Sequence, residues 1–323
     1  MSISNTDSNL ENEYYTIAFY NLENLFDTFD DVNTYDTDFL PDSARHWNEK
    51  RYQKKLRKLG QVISQIGEET SRKLPVLIGL AEVENRLVVT DLINSASLKD
   101  KHYDLVHYDS LDERGIDVAL IYNKKYFEVI HSEVFQLDLF DDDGSRDYTR
   151  DILLVEGLLN EEKIYVLVNH WPSRLEGVDL SNPARLIASK KAVAVISSIK
   201  LRDENAKIIV MGDFNDNPHN DSIKNLVQSH DLYNPMSDLP TYTRGSSNHR
   251  KEWDLFDQIL FTTNFFEYGE GKHGFSRVDI FDQDFLKQYK GKYRGNPFRT
   301  YAGYKYKGGF SDHFPVYLHL KKS

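Results

Sequence analysis

Strand-like apolar runs that end abruptly in polar residues recur along this chain. In YYTIAFYNLEN, apolar side chains alternate at Tyr15, Ile17 and Phe19, a pattern typical of a strand that enters a core. The run AKIIVMGDFNDNP is apolar up to Gly212. Because strand ends that share one edge of a sheet bring their side chains together, we expect these ends to meet. The polar residues at such ends are Asn21, Glu23, Glu82, His170, Asp213, Asn215, Asp312 and His313.

Hairpins mixed with helices determine the expected fold class. IDVALIYNKKYFEVIHSEVFQL is typical of two strands joined at NKK, and RDILLVEGLLNEEKIYVLVNHWPSR of two strands joined across NEEK. A helix is predicted from about Asn182 to Leu201. RHWNEKRYQKKLRKLGQVISQIGEE is predicted to be a surface helix whose Lys and Arg residues face the solvent. The sequence therefore predicts an α+β chain with largely antiparallel sheets covered by helices.

One domain fits the length and composition. The chain has 323 residues, of which 40% are hydrophobic and 28% are charged, and no linker or repeat interrupts it. We predict a polar tail over residues 1–13 and a single domain over residues 14–323. The N-terminal sequence MSISNTDSNLENEYY lacks the features of a signal peptide, and no apolar run is long enough to span a membrane. A cytoplasmic monomer is therefore expected, with a processed secreted form as the alternative.

Charge and cysteine content restrict the kinds of metal site and nucleic-acid-binding surface that this chain can form. The chain has no cysteine, which excludes thiolate metal sites and disulfides. Oxygen ligands from Asn and Glu suit Mg²⁺ or Mn²⁺, which bind through a few protein oxygens and the substrate phosphate. A net charge of −11 argues against a wide nucleic-acid-binding surface, although an enzyme can be acidic overall and basic only at its site.

Each polar cluster also has a simpler interpretation. Asn and Asp after a strand are common turn residues, so GDFNDNP alone is more typical of a turn, and a lone histidine such as His170 is more often a surface residue. Five clusters at five strand ends favour a joint site that hydrolyses a phosphate ester. In that chemistry Asp213 aligns the attacking water, histidines donate to the phosphoryl oxygens, and Asp257 in WDLFDQILF orients a histidine.

The segments that carry these residues resemble, in the same order, motifs of the endonuclease/exonuclease/phosphatase superfamily. They are YNLENLF, GLAEVEN, RGIDVALIY, NHWPSR, GDFNDNP, FDQILF and GFSDHFPV, and they span Tyr20 to Val316. GDFN and SDH together, in this order, are the specific signal. The resemblance implies a four-layer α/β/β/α sandwich over residues 14–323. It also implies a metal-dependent phosphoesterase whose active site lies where the two sheets meet at one rim.

The resemblance assigns roles to single residues as well. The implied metal ligands are Asn21, Glu82 and Asp312; the pair that positions or activates water is Asp213 and Asn215; the phosphate-contacting histidines are His170 and His313, the latter oriented by Asp257. Many members have Gln before the metal-binding Glu, whereas this chain has Ala81, which affects a contact behind that ligand. Glu23 and Glu84 are extra carboxylates, and each is either a ligand of a second ion or a solvated neighbour.

Further residues are predicted to bind the substrate. Arg174 is expected to reach a substrate phosphate bidentately, whereas Arg185 is expected to be a structural ion-pair partner. Arg114 fits either role, and a structural role is favoured for Asp117. The predicted substrate-binding residues are Asn169, Arg174, Arg299 and Tyr301.

The segment from residue 287 to residue 307 is basic in an otherwise acidic chain. It holds seven Lys or Arg residues, five tyrosines and no acidic residue. That composition is expected of a surface that tracks a phosphate backbone and stacks bases, and a solvated hairpin explains it nearly as well. DNA and RNA are therefore candidate substrates of a nuclease or other phosphodiesterase. The alternatives are a phosphomonoesterase or phospholipase-C-like enzyme acting on inositol phosphates or phospholipids. An inactive binding module is disfavoured because the mapped catalytic positions are kept.

Overall fold

Two six-stranded sheets lie at the centre of the structure. The computed structural model describes residues 14–31, 34–141, 143–174, 177–239, 242–249 and 251–323, so the predicted tail over residues 1–13 lies outside the described residues. The strands are β1 (Tyr14–Leu25), β2 (Leu77–Val83), β3 (Tyr103–His107), β4 (Asp117–Asn123), β5 (Phe127–Phe135), β6 (Leu139–Phe140), β7 (Arg146–Asp147), β8 (Ile152–Leu159), β9 (Glu162–His170), β10 (Lys207–Asp213), β11 (Leu232–Tyr233), β12 (Ser247–His249), β13 (Glu252–Asp254), β14 (Asp257–Thr262), β15 (His273–Ile280), β16 (Tyr301–Ala302), β17 (Lys305–Tyr306) and β18 (Val316–Lys322). The helices are α1 (Glu49–Ile63), α2 (Glu68–Ser71), α3 (Arg86–Ile93), α4 (Val178–Arg202) and α5 (Asp221–Ser229).

Both sheets are mostly antiparallel. The first sheet has the strand order β15-β18-β1-β2-β4-β3, and the second has the order β11-β14-β10-β9-β8-β5. Within each sheet one neighbouring pair is parallel, namely β1 with β2 and β9 with β10. The other neighbouring pairs of the two sheets run antiparallel. The predicted fold class is therefore confirmed.

Alternating side chains give the sandwich its four layers. Along β10, Ile208 and Val210 pack in the core shared with α4 and α5, whereas Ile209 and Met211 belong to the core between the sheets. Met211 lies so close to Gly79 of β2 that a Cβ there would come within 2.5 Å of its Sδ. Buried residues of α1 and α3 complete the layer on the first sheet. None of the helices in the described ranges combines the length and apolar character that a membrane span requires.

The two predicted hairpins have different outcomes. Strands β8 and β9 form a hairpin whose two-residue turn is Asn160 and Glu161, with φ of 45° and 77°, as the favoured tight hairpin turn requires. Strands β4 and β5 belong to different sheets, so the NKK turn is a crossover and the hairpin prediction there is wrong. The helix predicted from about Asn182 to Leu201 is present as α4, which begins at Val178 and ends at Arg202.

A buried charged network joins the sheets at the end where β9 and β10 begin. Lys207 Nζ lies 2.8 Å from Glu162 Oε1 and donates to His273 O at 2.7 Å. The His273 backbone N donates to Glu162 Oε2 at 2.7 Å, and Nδ1 of the same residue lies at the same distance from that oxygen. Burial disfavours the Glu162 charge, but the bonds to His273 and Lys207 outweigh it and lower the pKa of Glu162 to about 2.

We expect Glu162→Gln to destabilise the fold by about 3 kcal/mol at neutral pH, because a carboxyl pKa lowered from its ordinary value to about 2 corresponds to that free energy. Since the folded pKa is the lower one, this stability is present above the ordinary glutamate pKa and is lost as the pH falls towards 2. Urea unfolding at pH ~7 and pH ~3 measures both effects. The exposed neighbour Glu161→Gln is the control and should change little; equal losses in both variants would contradict the role of the network.

Candidate active site

The carboxyl ends of both parallel strand pairs meet at the opposite rim of the sandwich. In the first sheet Asn21 pairs with Ala81, the residue before Glu82. In the second sheet Asp213 pairs with His170 of β9 and with Asp257 of β14. Asn21 Nδ2 connects the sheets, because it donates to Asp213 Oδ2 at 3.0 Å and to Glu82 Oε1 at 3.3 Å.

The backbone is irregular at these strand ends. Glu82 and Asn215 have φ of 61° and 50°, in the left-handed region that non-glycine residues seldom adopt. The pairing of β1 with β2 shifts register after Asn21, and Glu82 Oε2 accepts a hydrogen bond from Asn24 N at 2.8 Å. Such backbone strain costs on the order of 1–3 kcal/mol per residue and clusters at functional sites.

Two histidines face Asp213 from either side. His170 Nε2 and His313 Nε2 each lie 3.9 Å from Asp213 Oδ2, and His313 Nδ1 lies 2.6 Å from Asp257 Oδ2. Asp213, Asp257 and His313 could together hold a metal, since their ligand atoms lie within 4.8 Å of one another. The short contact to Asp257 instead favours His313 as a charged hydrogen-bond donor.

The two histidines differ in charge. Burial disfavours the imidazolium of His313, but Asp257 and the other nearby carboxylates outweigh burial and raise the pKa of His313 well above its ordinary value. Burial, followed by the positive charges of Arg150 and Arg114, lowers the pKa of His170 well below its ordinary value. These opposite shifts favour a cationic His313 and a neutral His170, and an imidazole can donate a hydrogen bond in either form.

Asp213 lies at the centre of the site with 2% of its surface exposed. Burial, and next the neighbouring Asp257, raise the pKa of Asp213 to about 7. Its Oδ1 accepts a hydrogen bond from Asn215 N at 3.0 Å, and Asn215 Nδ2 donates to Trp171 O at 3.0 Å. A carboxyl group whose pKa lies near neutrality can take a proton from a water molecule.

Two predicted metal ligands, Glu82 and Asp312, lie close to the same two cations. Glu82 and Asp312 both lie within electrostatic range of Lys55 and Arg299, which places the two carboxylates in one neighbourhood. Carboxylate oxygens of this kind fit Mg²⁺ or Mn²⁺. Asn21 Oδ1 accepts a hydrogen bond from Glu23 N at 2.9 Å, and the second lone pair of that oxygen could bind a metal.

The SDH segment is held between the two sheets. Ser311 Oγ donates to Asn21 O at 2.7 Å and accepts from His313 N at 3.1 Å. Arg299 Nη2 lies 2.5 Å from Asp312 Oδ2. The chain that carries Arg299 packs directly on Gly309, where a Cβ would come within 1.8 Å of Phe298 O. Glycine is therefore required beside this ion pair, and Arg299 lies next to a predicted metal ligand.

All four predicted substrate-binding side chains have partners within the protein, and that of Arg299 is Asp312. Asn169 has no exposed surface and bonds Trp171 Nε1 and Met211 O. Tyr301 is 5% exposed, and its hydroxyl donates to Arg45 O at 3.0 Å. Arg174 bonds Asn215 O, Asp216 and Asn220, so it braces the turn after β10. Arg299 is the fourth, and 42% of its side chain is exposed.

The residues whose roles the sequence left undecided make defined contacts in the structure. Glu23 accepts hydrogen bonds from Thr300 N and Tyr301 N, and Glu84 accepts one from Asp27 N. Burial raises the pKa of Glu23 to about 7 and that of Glu84 to about 8. Arg114 donates to Asn24 Oδ1 at 2.7 Å. Two pairs agree with the predicted structural roles: Arg185 with Asp216, and Asp117 with His107.

The sequence interpretation missed Lys55, a buried cation beside the site. It is 2% exposed, and its Nζ donates to Glu23 O and, at 2.9 Å, to Thr300 Oγ1. The prediction that the lysines of this helix face the solvent is therefore wrong for Lys55. Its position could have revealed it, because Lys55 follows Tyr52 by three residues and precedes Leu59 by four, which places it on the apolar face.

Arg150 is a second missed cation. Its Nη1 lies 3.0 Å from Asp112 Oδ2, and its Nη2 donates to Trp171 O at 2.9 Å. The same carbonyl accepts the hydrogen bond from Asn215. Because Asp112 precedes a strand of the first sheet and Arg150 precedes one of the second, this buried pair ties the sheets together beside the site.

Comparisons with known proteins agree with this architecture. No curated protein matches the sequence. Three solved structures resemble the fold. An endonuclease/exonuclease/phosphatase family protein from Bacteroides thetaiotaomicron has a TM-score of 0.60 and 16% identity, covering 96% of this chain and 98% of that one. A mannosyl-6-phosphatase from the same organism has a TM-score of 0.59 and 18% identity, covering 95% and 99%. D. rerio TDP2, complexed with a single-strand DNA product, has a TM-score of 0.57 and 14% identity, covering 96% and 99%.

A family model decides the assignment. The model described as Endonuclease/Exonuclease/phosphatase family matches residues 16–322, which includes each of the strand ends that form the site. The chain therefore belongs to the endonuclease/exonuclease/phosphatase family of phosphate-ester hydrolases.

Proposed function

We propose that this protein is a divalent-metal-dependent phosphodiesterase of the nuclease class that hydrolyses a P–O bond by in-line attack of water. The observation that carries the proposal is the position of Asp213. Its Oδ2 accepts from Asn21 Nδ2 at 3.0 Å and lies 3.9 Å from the Nε2 atoms of both His170 and His313. A proton acceptor and two phosphoryl donors are thus next to one another, as this chemistry requires.

Each residue of the site has a separate role in the proposed reaction. Asp213 accepts the proton of the attacking water, and Asn215 holds the Asp213 carboxylate through its backbone N. His170 and His313 donate to the non-bridging oxygens, and Asp257 keeps His313 oriented and charged. Glu82 and Asp312, with Asn21 through its Oδ1, would hold Mg²⁺ or Mn²⁺. When bound, that ion supplies positive charge for the phosphoryl and leaving oxygens.

Exposed cations favour a polynucleotide substrate. Lys290, Lys292 and Arg294 are exposed, and the loop that carries them meets the β12–β13 hairpin, because Asn296 Nδ2 donates to Asn248 Oδ1 at 2.8 Å. The hairpin in turn adjoins the site through a bridge between Ser247 and His313. A cationic loop at this place could hold a phosphate backbone. The resemblance to a TDP2 that was solved with a DNA product supports the same class.

A phosphomonoesterase is the second candidate. The fold resembles a mannosyl-6-phosphatase, and the net charge of −11 disfavours a wide contact with nucleic acid. A substrate panel separates the two candidates: plasmid DNA, single-stranded DNA, RNA, sphingomyelin, inositol phosphates, a sugar phosphate and an aryl phosphodiester, each assayed with Mg²⁺ and with Mn²⁺. Cleavage of monoesters alone would overturn the phosphodiesterase proposal.

Neutralising Lys290, Lys292 and Arg294 together should weaken cleavage of a polynucleotide and flatten its salt dependence, since each lost phosphate contact removes about one released counterion. Rates measured over a range of salt concentrations test this expectation. Hydrolysis of a small aryl phosphodiester is the internal control and should stay near the wild-type rate. Equal loss on both substrates would indicate a folding defect, and no loss on either would favour a small phosphate ester as substrate.

A further inference from the structure

Lys55 is placed where few lysines are found. It lies in the middle of α1 with 2% of its surface exposed, although a buried ammonium is costly unless it is paired and hydrogen-bonded. Its Nζ donates to Glu23 O and to Thr300 Oγ1. Both partners lie beside the site, because Glu23 follows Asn21 by two residues and Thr300 follows Arg299.

The charges around Lys55 are those of the candidate metal site. Burial lowers the pKa of Lys55, and the nearby Glu23, Asp312 and Glu82 oppose burial by favouring the positive charge, in that order. Burial also disfavours the charge of Arg299, and the same three carboxylates favour it. The two cations therefore share three carboxylates, two of which are candidate metal ligands. One divalent ion bound here would change the net charge of these five groups from negative to positive. A second ion would be repelled by the positive charges of Lys55 and Arg299.

Glu23 is also occupied in a way that argues against a second ion. Its Oε2 accepts from Thr300 N at 2.5 Å and its Oε1 accepts from Tyr301 N at 3.2 Å. Both carboxylate oxygens are therefore turned towards the 300–301 backbone. Glu23 thus helps to hold the chain segment that Lys55 also holds.

We propose that Lys55 is a fixed cation that takes the place of a second metal ion, so that the site binds one divalent ion with an affinity that the Lys55 charge lowers. The inference rests on the metal dependence proposed above. Lys55 touches neither substrate nor metal in this arrangement and is a positioning residue. A lysine that only packs the core would leave metal affinity and stoichiometry unchanged.

Isothermal titration of the metal-stripped full chain with Mn²⁺ tests the proposal. The wild type should bind one ion. Lys55→Met should bind Mn²⁺ at least about 10-fold more tightly or take up a second ion, because a positive charge close to a divalent cation has been removed. Lys55→Arg keeps the charge and should remain near the wild-type affinity. Lys54→Met is the matched control, since Lys54 is the exposed neighbour on the same helix, and it should behave as the wild type.

Thermal unfolding keeps the test decisive if Lys55→Met is poorly folded without metal. Mn²⁺ should then restore its cooperative unfolding and raise its Tm more than that of the wild type, because a ligand stabilises the state that binds it. Wild-type affinity in Lys55→Met, or no rescue by Mn²⁺, would overturn the inference alone, as would two ions bound by the wild type. A wild type that binds neither Mn²⁺ nor Mg²⁺ would instead overturn the proposed metal dependence.

Discussion

Excess EDTA should abolish hydrolysis by this protein, and Glu82→Gln should need at least about 10-fold more Mg²⁺ for half-maximal rate. Removing a carboxylate charge weakens an oxygen site for a hard divalent cation, and changes even in groups behind metal ligands cost about 10-fold to 100-fold in affinity. Rates measured at increasing free Mg²⁺ give the apparent affinity of each variant. Added Mg²⁺ should restore the wild-type rate after chelation.

The control for this experiment is Glu204→Gln, which removes an exposed carboxylate just before β10, at the end of that strand opposite Asp213. Its Mg²⁺ requirement should equal that of the wild type. Full activity in excess EDTA would contradict the proposed metal dependence. The two histidines and Asp213 would then be the remaining catalytic groups. An unchanged Mg²⁺ requirement in Glu82→Gln would remove Glu82 from the ligand set while leaving metal dependence intact.

The position of the site could be predicted from the sequence because strand ends are local features. Asn21 and Asp213 each close an apolar run, and the parallel pairs β1–β2 and β9–β10 direct those ends to the same rim. The lowered pKa of His170 could not be predicted, since it depends on burial and on Arg150 and Arg114, which lie far away along the chain. The raised pKa of His313, by contrast, follows from the predicted pairing with Asp257, which lies 2.6 Å away, 56 positions earlier in the chain, and outweighs burial.

Other errors also arise from long-range contacts. The NKK turn has the same local pattern in a hairpin and in a crossover, and pairing with distant strands decides between them. Substrate binding by Tyr301 stays a prediction, but its aromatic neighbours could not be predicted: its ring lies 6.3 Å from that of Phe39 and 6.1 Å from that of Trp47, about 250 residues away along the chain. The prediction of solvent exposure is wrong for Lys55 because it rests on the residue type alone. The position of Lys55 in the helical repeat places it on the apolar face of α1.

Alanine at His313 should lower kcat by roughly 10²-fold or more, and His170→Ala and Asp213→Asn should have effects of similar size, the usual scale for lost acid–base or electrostatic groups. Substrate affinity should change much less, because these groups act most strongly on charge that develops in the transition state. Steady-state kinetics on a small aryl phosphodiester separate kcat from KM. His131→Ala, which removes a half-exposed histidine of β5, is the control and should retain the wild-type rate.

A double-mutant cycle tests whether Asp257 works through His313. Asp257 Oδ2 lies 2.6 Å from His313 Nδ1, and the Asp257 carboxylate is fully buried, so its negative charge acts mainly on that imidazole. Asp257→Asn should therefore lower kcat by roughly 10-fold to 100-fold in the wild type and have little further effect in His313→Ala, since residues that act as a unit are strongly non-additive. Equal losses in the two backgrounds would mean that Asp257 acts independently of His313, for example through Asp213, whose pKa it also raises.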